Sequence, residues 1–326
     1  MLEVNERIVR LWADELQIAD LILAEQDFRL VHALRGIYAD GFLAERLCLK
    51  GGTAINKLFL KETPRLSVDL DFNATGEKAR IIGERKEIKE KITKLLREQD
   101  PGYNIKTETR YEQTAIHARY APLFGSPRPV KLEISFVERF PVLGKVEKEL
   151  RLPVADEKFK VATYAIEELA ATKVRALYDR LKGRDIYDLY HISKLAPDRI
   201  ALRKLVLYYF YRTGRIFNPK LFFKNVEDKF KSRKFVDDVS GFVRTGFSLP
   251  EAAGEVISYL RFLQELNERD CDFLALAGFL LKKNVAKEKL KIVREIKHPL
   301  AHLFGDIKIS DFAGKATVED IRVFLK

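Results

Sequence analysis

Between Ala13 and Tyr38 apolar residues recur at three- and four-residue intervals, the spacing that lines one face of a helix, so the chain begins with helices. Leu47-Cys48-Leu49 then runs into Lys50-Gly51-Gly52-Thr53, and a second helical pattern follows from Ala54 to Leu60. This predicts a strand or loop feeding a helix through glycines. From Arg65 to Phe72 polar and apolar residues alternate strictly. A period of two puts the even positions on a core face and gathers Arg65, Ser67, Asp69 and Asp71 on the opposite one. Next comes a charged helix whose stripe is Ile81, Ile88, Ile92, Leu95 and Leu96, ended by Asp100-Pro101-Gly102. Three strand-like runs, near Asn104 to Tyr111, Thr114 to Tyr120 and Val130 to Val137, are joined by short turn-forming segments and predict an antiparallel portion of a mixed sheet.

Helical patterns dominate the rest. A helix from about Ala165 to Asp179 leads to Arg184-Asp185-Ile186-Tyr187-Asp188-Leu189, where Gly183 suits a helix end and Asp185 with Asp188 suits the start of the next. Beyond about Leu195 breaks fall at Asn218-Pro219, Ser248-Leu249-Pro250 and His298-Pro299. The expectation is an α+β fold: a mixed-sheet domain over residues 1–195, followed by an all-helical domain over 196–326.

Composition narrows the function classes. At 326 residues with 47% apolar content the chain can bury a substantial core. Its first residues carry acids where a signal peptide wants bases, and no apolar run approaches the roughly 20 residues of a membrane span. A cytoplasmic protein without membrane contact is expected. Cys48 and Cys271 stand far apart, which excludes a disulfide framework and a thiolate zinc site; both read as small buried hydrophobes. His298 and His302 have Pro299 between them and no accompanying glutamate, so they do not read as a zinc pair.

A net charge of +11 suits a polyanionic partner such as a nucleic acid or nucleotide, although a solvated basic surface would look the same. Between Arg203 and Lys234, ten basic residues are interleaved with Tyr208, Tyr209, Phe210, Tyr211, Phe217, Phe222, Phe223 and Phe230. The aromatics read first as a helical core beneath a basic face, whose cations are then free to line an acceptor groove.

Chemistry concentrates on the alternating strands. Phosphoryl and nucleotidyl transfer call for cations that neutralise a triphosphate and lower the pKa of the attacking hydroxyl, and hard Mg²⁺ prefers carboxylates. Asp69 and Asp71 project to one side of their strand. Glu133, in Val130-Lys131-Leu132-Glu133-Ile134-Ser135-Phe136, can bring a third carboxylate from a neighbouring strand and help deprotonate an acceptor hydroxyl. An isolated Asp-x-Asp is more often a solvated strand face. Upstream, however, Gly51-Gly52-Thr53 opens a helix whose bare N–H groups suit a phosphate.

Leu49-Lys50-Gly51-Gly52-Thr53-Ala54, Arg65 to Phe72, Lys131-Leu132-Glu133-Ile134-Ser135, Glu168-Leu169-Ala170-Ala171-Thr172-Lys173 and Arg184 to Leu189, in that order, resemble the AbiEii/AbiGii-type nucleotidyltransferases. These are toxins of toxin–antitoxin and phage-abortive systems within the DNA polymerase β-like superfamily. The resemblance implies Mg²⁺ or Mn²⁺ held by Asp69, Asp71 and Glu133. It implies an NTP bound by Lys50, Gly51, Gly52, Thr53, Arg65, Ser67, Lys173, Arg184 and Asp185, and catalytic roles for Lys173 and Asp188 beside the three metal-binding acids. It further implies a tRNA 3′ end as acceptor and a cognate antitoxin as partner. A Lys131–Glu133 pair can equally be structural, and Asp185 and Asp188 can equally be helix-start residues. The competing readings are a nucleic-acid- or partner-binding protein on the same fold, and a transferase that modifies a protein side chain.

Overall fold

The apolar pattern of the first forty residues folds as separate helices because Gln17, Asp20 and Asp40 interrupt it. Helix α1 (Glu6–Leu16) stops at Gln17, whose φ of 54° is left-handed. Asp20 caps α2 (Leu21–Ala39) by accepting the N–H groups of Ile22 and Leu23, and Asp40 caps α3 (Gly41–Arg46) through Leu43. The computed structural model of the protein describes residues 2–60, 66, 68–126, 128–155, 157–180, 182–230, 247–268, 270–271 and 273–274. Arg65, Ser67, Lys231 to Lys234, His298 and His302 lie outside the described residues.

By packing, the chain divides into two units between Ala165 and Ile166. In the first unit, a seven-stranded mixed sheet is built from β1 (Leu47–Lys50), β2 (Asp69–Ala74), β3 (Asn104–Thr109), β4 (Gln113–Arg119), β5 (Val130–Ser135), β6 (Lys145–Leu152) and β7 (Glu157–Tyr164). Their order is β3-β4-β5-β2-β1-β7-β6. The antiparallel β3-β4-β5 ladder is the one expected from the three strand-like runs. Strand β2 pairs antiparallel with β1 and parallel with β5, while β1 pairs parallel with β7. Strands β6 and β7 were not visible as a pair in the sequence: Lys148 interrupts the apolar run of Val146, Leu150 and Leu152, so β6 reads as a polar segment.

The alternation of β2 and β5 decides which face is core. Leu70, Phe72, Leu132 and Ile134 are fully buried, each stabilising the sheet by about 1.5–3 kcal/mol. Helix α2 packs on the sheet and carries charge inward, with Glu25, Asp27 and Arg29 all buried. Arg29 reaches Glu25 at 3.0 Å, Asp100 at 2.8 Å and lies 3.9 Å over the Tyr120 ring. Asp27 meets Lys57 at 2.6 Å and accepts the Trp12 indole N–H at 3.1 Å. Such charges are tolerable because each is paired. The Tyr38 hydroxyl donates to the Ala162 carbonyl at 2.7 Å and accepts the Leu49 N–H at 3.2 Å, tying β1 and β7 to the same helix. His32 packs against the Phe28 and Trp12 rings, where burial pushes its pKa down to about 4 and keeps it neutral. Helix α5 (Lys78–Gln99) buries Ile81, Ile88, Ile92 and Leu96, the stripe read from the sequence less Leu95, which is only half-buried.

The described part of the second unit is helical: α6 (Ile166–Arg180), α7 (Gly183–Lys194), α8 (Arg199–Arg212), α9 (Pro219–Phe230) and α10 (Leu249–Leu260). Tyr208, Tyr209, Phe210, Tyr211, Phe217, Phe222 and Phe223 are buried, so these aromatics form a core. Two of the accompanying cations are not on a solvated face: Lys204 is buried, and Arg203 pairs with buried Asp270 at 2.7 Å. Cys48 is buried as expected, but Cys271 is exposed. Its neighbour Asp270 is turned inward to Arg203, which directs Cys271 outward. Among the described residues no helix is long and apolar enough to cross a membrane.

Candidate active site

The sheet brings the three acids of the sequence motif onto one face. In the register Asp71 sits beside Glu133 and Asp69 beside Lys131, on the parallel strands β2 and β5. Laterally paired residues share a face with their Cβ atoms close together. The intermediate exposure of Asp69, Asp71, Lys131 and Glu133, alternating with buried neighbours, shows that this is the open face. Lys50 is the partner of Asp71 on β1, and Ala115 the partner of Glu133 on β4. One rung of the sheet therefore reads Lys50, Asp71, Glu133, Ala115, and the next contains Asp69, Lys131 and His117.

The glycine turn fits over this face. Gly51 starts α4 (Gly51–Ala54), which continues as a single π turn over Ile55–Phe59. Its φ is +75°, and a Cβ placed there would come within 2.7 Å of Asp71 Oδ2. Only glycine permits both the backbone conformation and the approach of the carboxylate. Thr53 is buried and donates its hydroxyl to the Asp69 carbonyl at 2.5 Å, which fixes the acidic strand to the helix start. Asn56 donates to the Gly52 carbonyl at 2.7 Å. Lys50 lies 3.9 Å from Glu138, a residue of the loop after β5 that sequence reasoning did not single out.

Lys131 is the main charge among the acids. Its ammonium lies 2.6 Å from Glu133 Oε1 and 3.9 Å from Asp69 Oδ2. Partial burial lowers its pKa, but the hydrogen bond to Glu133 and the charges of Asp69, Glu133 and Asp71 outweigh this, so the pKa is raised and the amine stays protonated. The donor set fits a hard divalent cation, being three carboxylates from two adjacent strands. As they stand, no three acidic, His or Cys side chains among the described residues are gathered closely enough to hold an ion.

In the second unit, Lys173 of α6 is buried and bonds Asp185 at 3.3 Å and Asp188 at 2.7 Å, both fully or almost fully buried on α7. Arg180, not anticipated from the sequence, clamps Asp185 with two hydrogen bonds of 2.7 and 2.6 Å. Its signal was available, since it lies five residues before Asp185 across a tight turn. Gly183 begins α7 rather than ending α6, and Lys182 is the N-cap. Neither aspartate caps: Asp185 lies in the first turn and Asp188 one turn further, and both face Lys173. Arg184, immediately before Asp185, is half-buried.

The acids thus lie on an alternating strand and its parallel neighbour, beside a glycine turn on a mixed sheet. Residues 32–255 match the family model described as "Nucleotidyl transferase AbiEii toxin, Type IV TA system". That span runs from α2 to α10, and the chain belongs to this family. Among solved structures, MenT4, a nucleotidyltransferase toxin from Mycobacterium tuberculosis, is similar at 21% identity and a TM-score of 0.64, over 84% of this chain and 94% of that one. It shows the same fold. A nucleotidyltransferase-like antigenic protein from Paracoccidioides brasiliensis matches at 16% identity and a TM-score of 0.37, over 56% of this chain and 87% of that one, too weakly to carry an argument. No curated protein matches the chain in sequence. The protein is thus a nucleotidyltransferase toxin of a type IV toxin–antitoxin system, a membership that implies an NTP substrate and an antitoxin partner.

Proposed function

We propose that this cytoplasmic protein transfers a nucleoside monophosphate from an NTP to the 3′ hydroxyl of a tRNA in a Mg²⁺- or Mn²⁺-dependent reaction. The observation that carries this reading is the register that sets Asp71 against Glu133, with Asp69 two residues away and Gly51 pressed on Asp71. Asp69, Asp71 and Glu133 would hold the cations. A bound divalent cation would neutralise the triphosphate and acidify the acceptor hydroxyl.

The remaining work falls to the chain. Gly51, Gly52 and Lys50 receive the phosphates, with Thr53 fixing the turn against β2 and Arg65 and Ser67 preceding the acids. Glu133 takes the proton of the acceptor hydroxyl as its oxygen bonds to the α-phosphorus and pyrophosphate departs. Lys173 and Arg184 contact nucleotide phosphates, and Asp185 and Asp188 orient Lys173. Residues 1–195 act as the transferase domain and residues 196–326 as the domain that binds acceptor or antitoxin.

The test is incubation of the protein with each labelled NTP, total RNA, Mg²⁺ and the product of the neighbouring gene. Label is expected in RNA of tRNA size with the wild type, and none with Asp69→Asn or Asp71→Asn, both of which keep the wild-type thermal midpoint within a few degrees. Label in protein instead of RNA would replace the acceptor, and undiminished transfer by either variant would remove the mechanism.

A further inference from the structure

We propose that Lys131 is a built-in counter-cation of the carboxylate triad. Its ammonium holds Asp69 and Glu133 together while no divalent cation is bound, and it must be displaced for one to bind, so it sets the free metal concentration at which the site becomes competent. The inference rests on the metal-binding reading above and adds to it a residue with a defined opposing role.

Three observations carry it. First, Lys131 is not simply paired across the strand with its register neighbour: it lies closer to Glu133, two residues along its own strand, at 2.6 Å than to Asp69 at 3.9 Å. The ammonium is therefore shared by two of the three acids. Second, these side chains are only about one-third exposed, at 30% for Lys131, 36% for Asp69 and 32% for Glu133. Water screens their mutual repulsion incompletely, so a cation is needed whether or not metal is present. Third, Gly51 brings the start of α4 onto Asp71 from the other side, which leaves the triad little room to relax by spreading apart.

An ammonium and a divalent ion that both require the oxygens of Asp69 and Glu133 exclude one another. The lysine is well suited to yield, because its flexible four-carbon stem can swing a strongly hydrated charge back toward water. A fixed guanidinium would hold the carboxylates more firmly. The counter-cation thus keeps Asp69 and Glu133 near one another, at the expense of intrinsic metal affinity.

The experiment uses the full chain without nucleotide. Mn²⁺ binding is followed by calorimetry or electron paramagnetic resonance for the wild type, Lys131→Met, Lys131→Gln and Asp69→Asn, and thermal midpoints are recorded with chelator and with Mn²⁺. Removing one positive charge within contact distance of the ligands should tighten Mn²⁺ binding on the order of tenfold or more in both Lys131 variants. Their midpoints in chelator should fall, and Mn²⁺ should raise them further than it raises the wild type. The Gln variant keeps a polar side chain, so the comparison survives if the Met variant folds poorly.

Equal or weaker Mn²⁺ binding by the Lys131 variants, with Asp69→Asn unable to bind, would overturn the counter-cation and leave the transferase reading intact. Absence of Mn²⁺ binding in every protein, wild type included, would overturn both.

Discussion

At the level of single residues, the site depends on what one glycine omits. Gly51→Ala would hold an L-residue at a φ of +75° and drive a methyl group to 2.7 Å from Asp71 Oδ2. The backbone strain alone costs about 1–3 kcal/mol. The methyl would also lie within 3.5 Å of Asp71 Cβ and Cγ, so the carboxylate must shift as well. We expect a lower thermal midpoint and a loss of nucleotidyl transfer of more than tenfold, measured with the labelled-NTP assay; transfer at the wild-type rate would show that Asp71 does not need this approach. The positions of Asp69, Asp71 and Glu133 on one side of their strands were legible because a period of two leaves no choice of face. Their meeting with Lys131 was not, since register between strands some sixty residues apart is set by packing and not by local pattern. The same holds for Lys50 with Glu138.

Among elements, α6 and α7 show how the helical motif is held. Lys173 pairs with Asp188 and shares Asp185 with Arg180. Lys173→Met leaves those carboxylates buried with one cation fewer, a change that typically costs about 3–5 kcal/mol. A urea titration should show the midpoint falling accordingly, and converting Asp185 and Asp188 to Asn in the same variant should recover part of the loss. A midpoint at the wild-type value would mean that the buried pairs contribute nothing. Most helices and the central strands were readable from periodicity and from breaks such as Ser248-Leu249-Pro250, where Ser248 caps α10; the caps Asp20 and Asp40 were not singled out. Strands β6 and β7 were not readable: β6 is an edge strand rich in charge with no clean apolar face, and β7, paired on both sides, opens on the charged run Glu157-Lys158-Phe159-Lys160. Gly183 misled for a different reason: glycine is common after a helix, but here the turn is so tight that it already belongs to the next one.

For the whole molecule, the net charge of +11 makes a statement about kinetics and salt. If RNA is the acceptor, its binding should weaken at least tenfold between about 50 and 200 mM salt, since each neutralised phosphate releases a counterion. A filter-binding series at fixed Mg²⁺ would measure this, and an affinity indifferent to salt would argue for a protein acceptor. The aromatic-rich segment after Arg203 was expected to pack a core, and its buried tyrosines and phenylalanines do so. The burial of Lys204 and the pairing of Arg203 with Asp270 could not be read from composition, because local charge excess does not say which cations meet an acid from a distant helix.

The placing of β1 between an early and a late partner has a further effect. Strand β2 follows it closely, but its parallel partner β5 comes more than fifty residues later, and Thr163 of β7 bonds Leu49 across 114 residues. A chain still leaving the ribosome cannot assemble its acids before β5 emerges, nor close the sheet beside the glycine turn before β7 does. If these acids carry the transfer, a fragment that ends before β5 is expected to be inactive in the labelled-NTP assay.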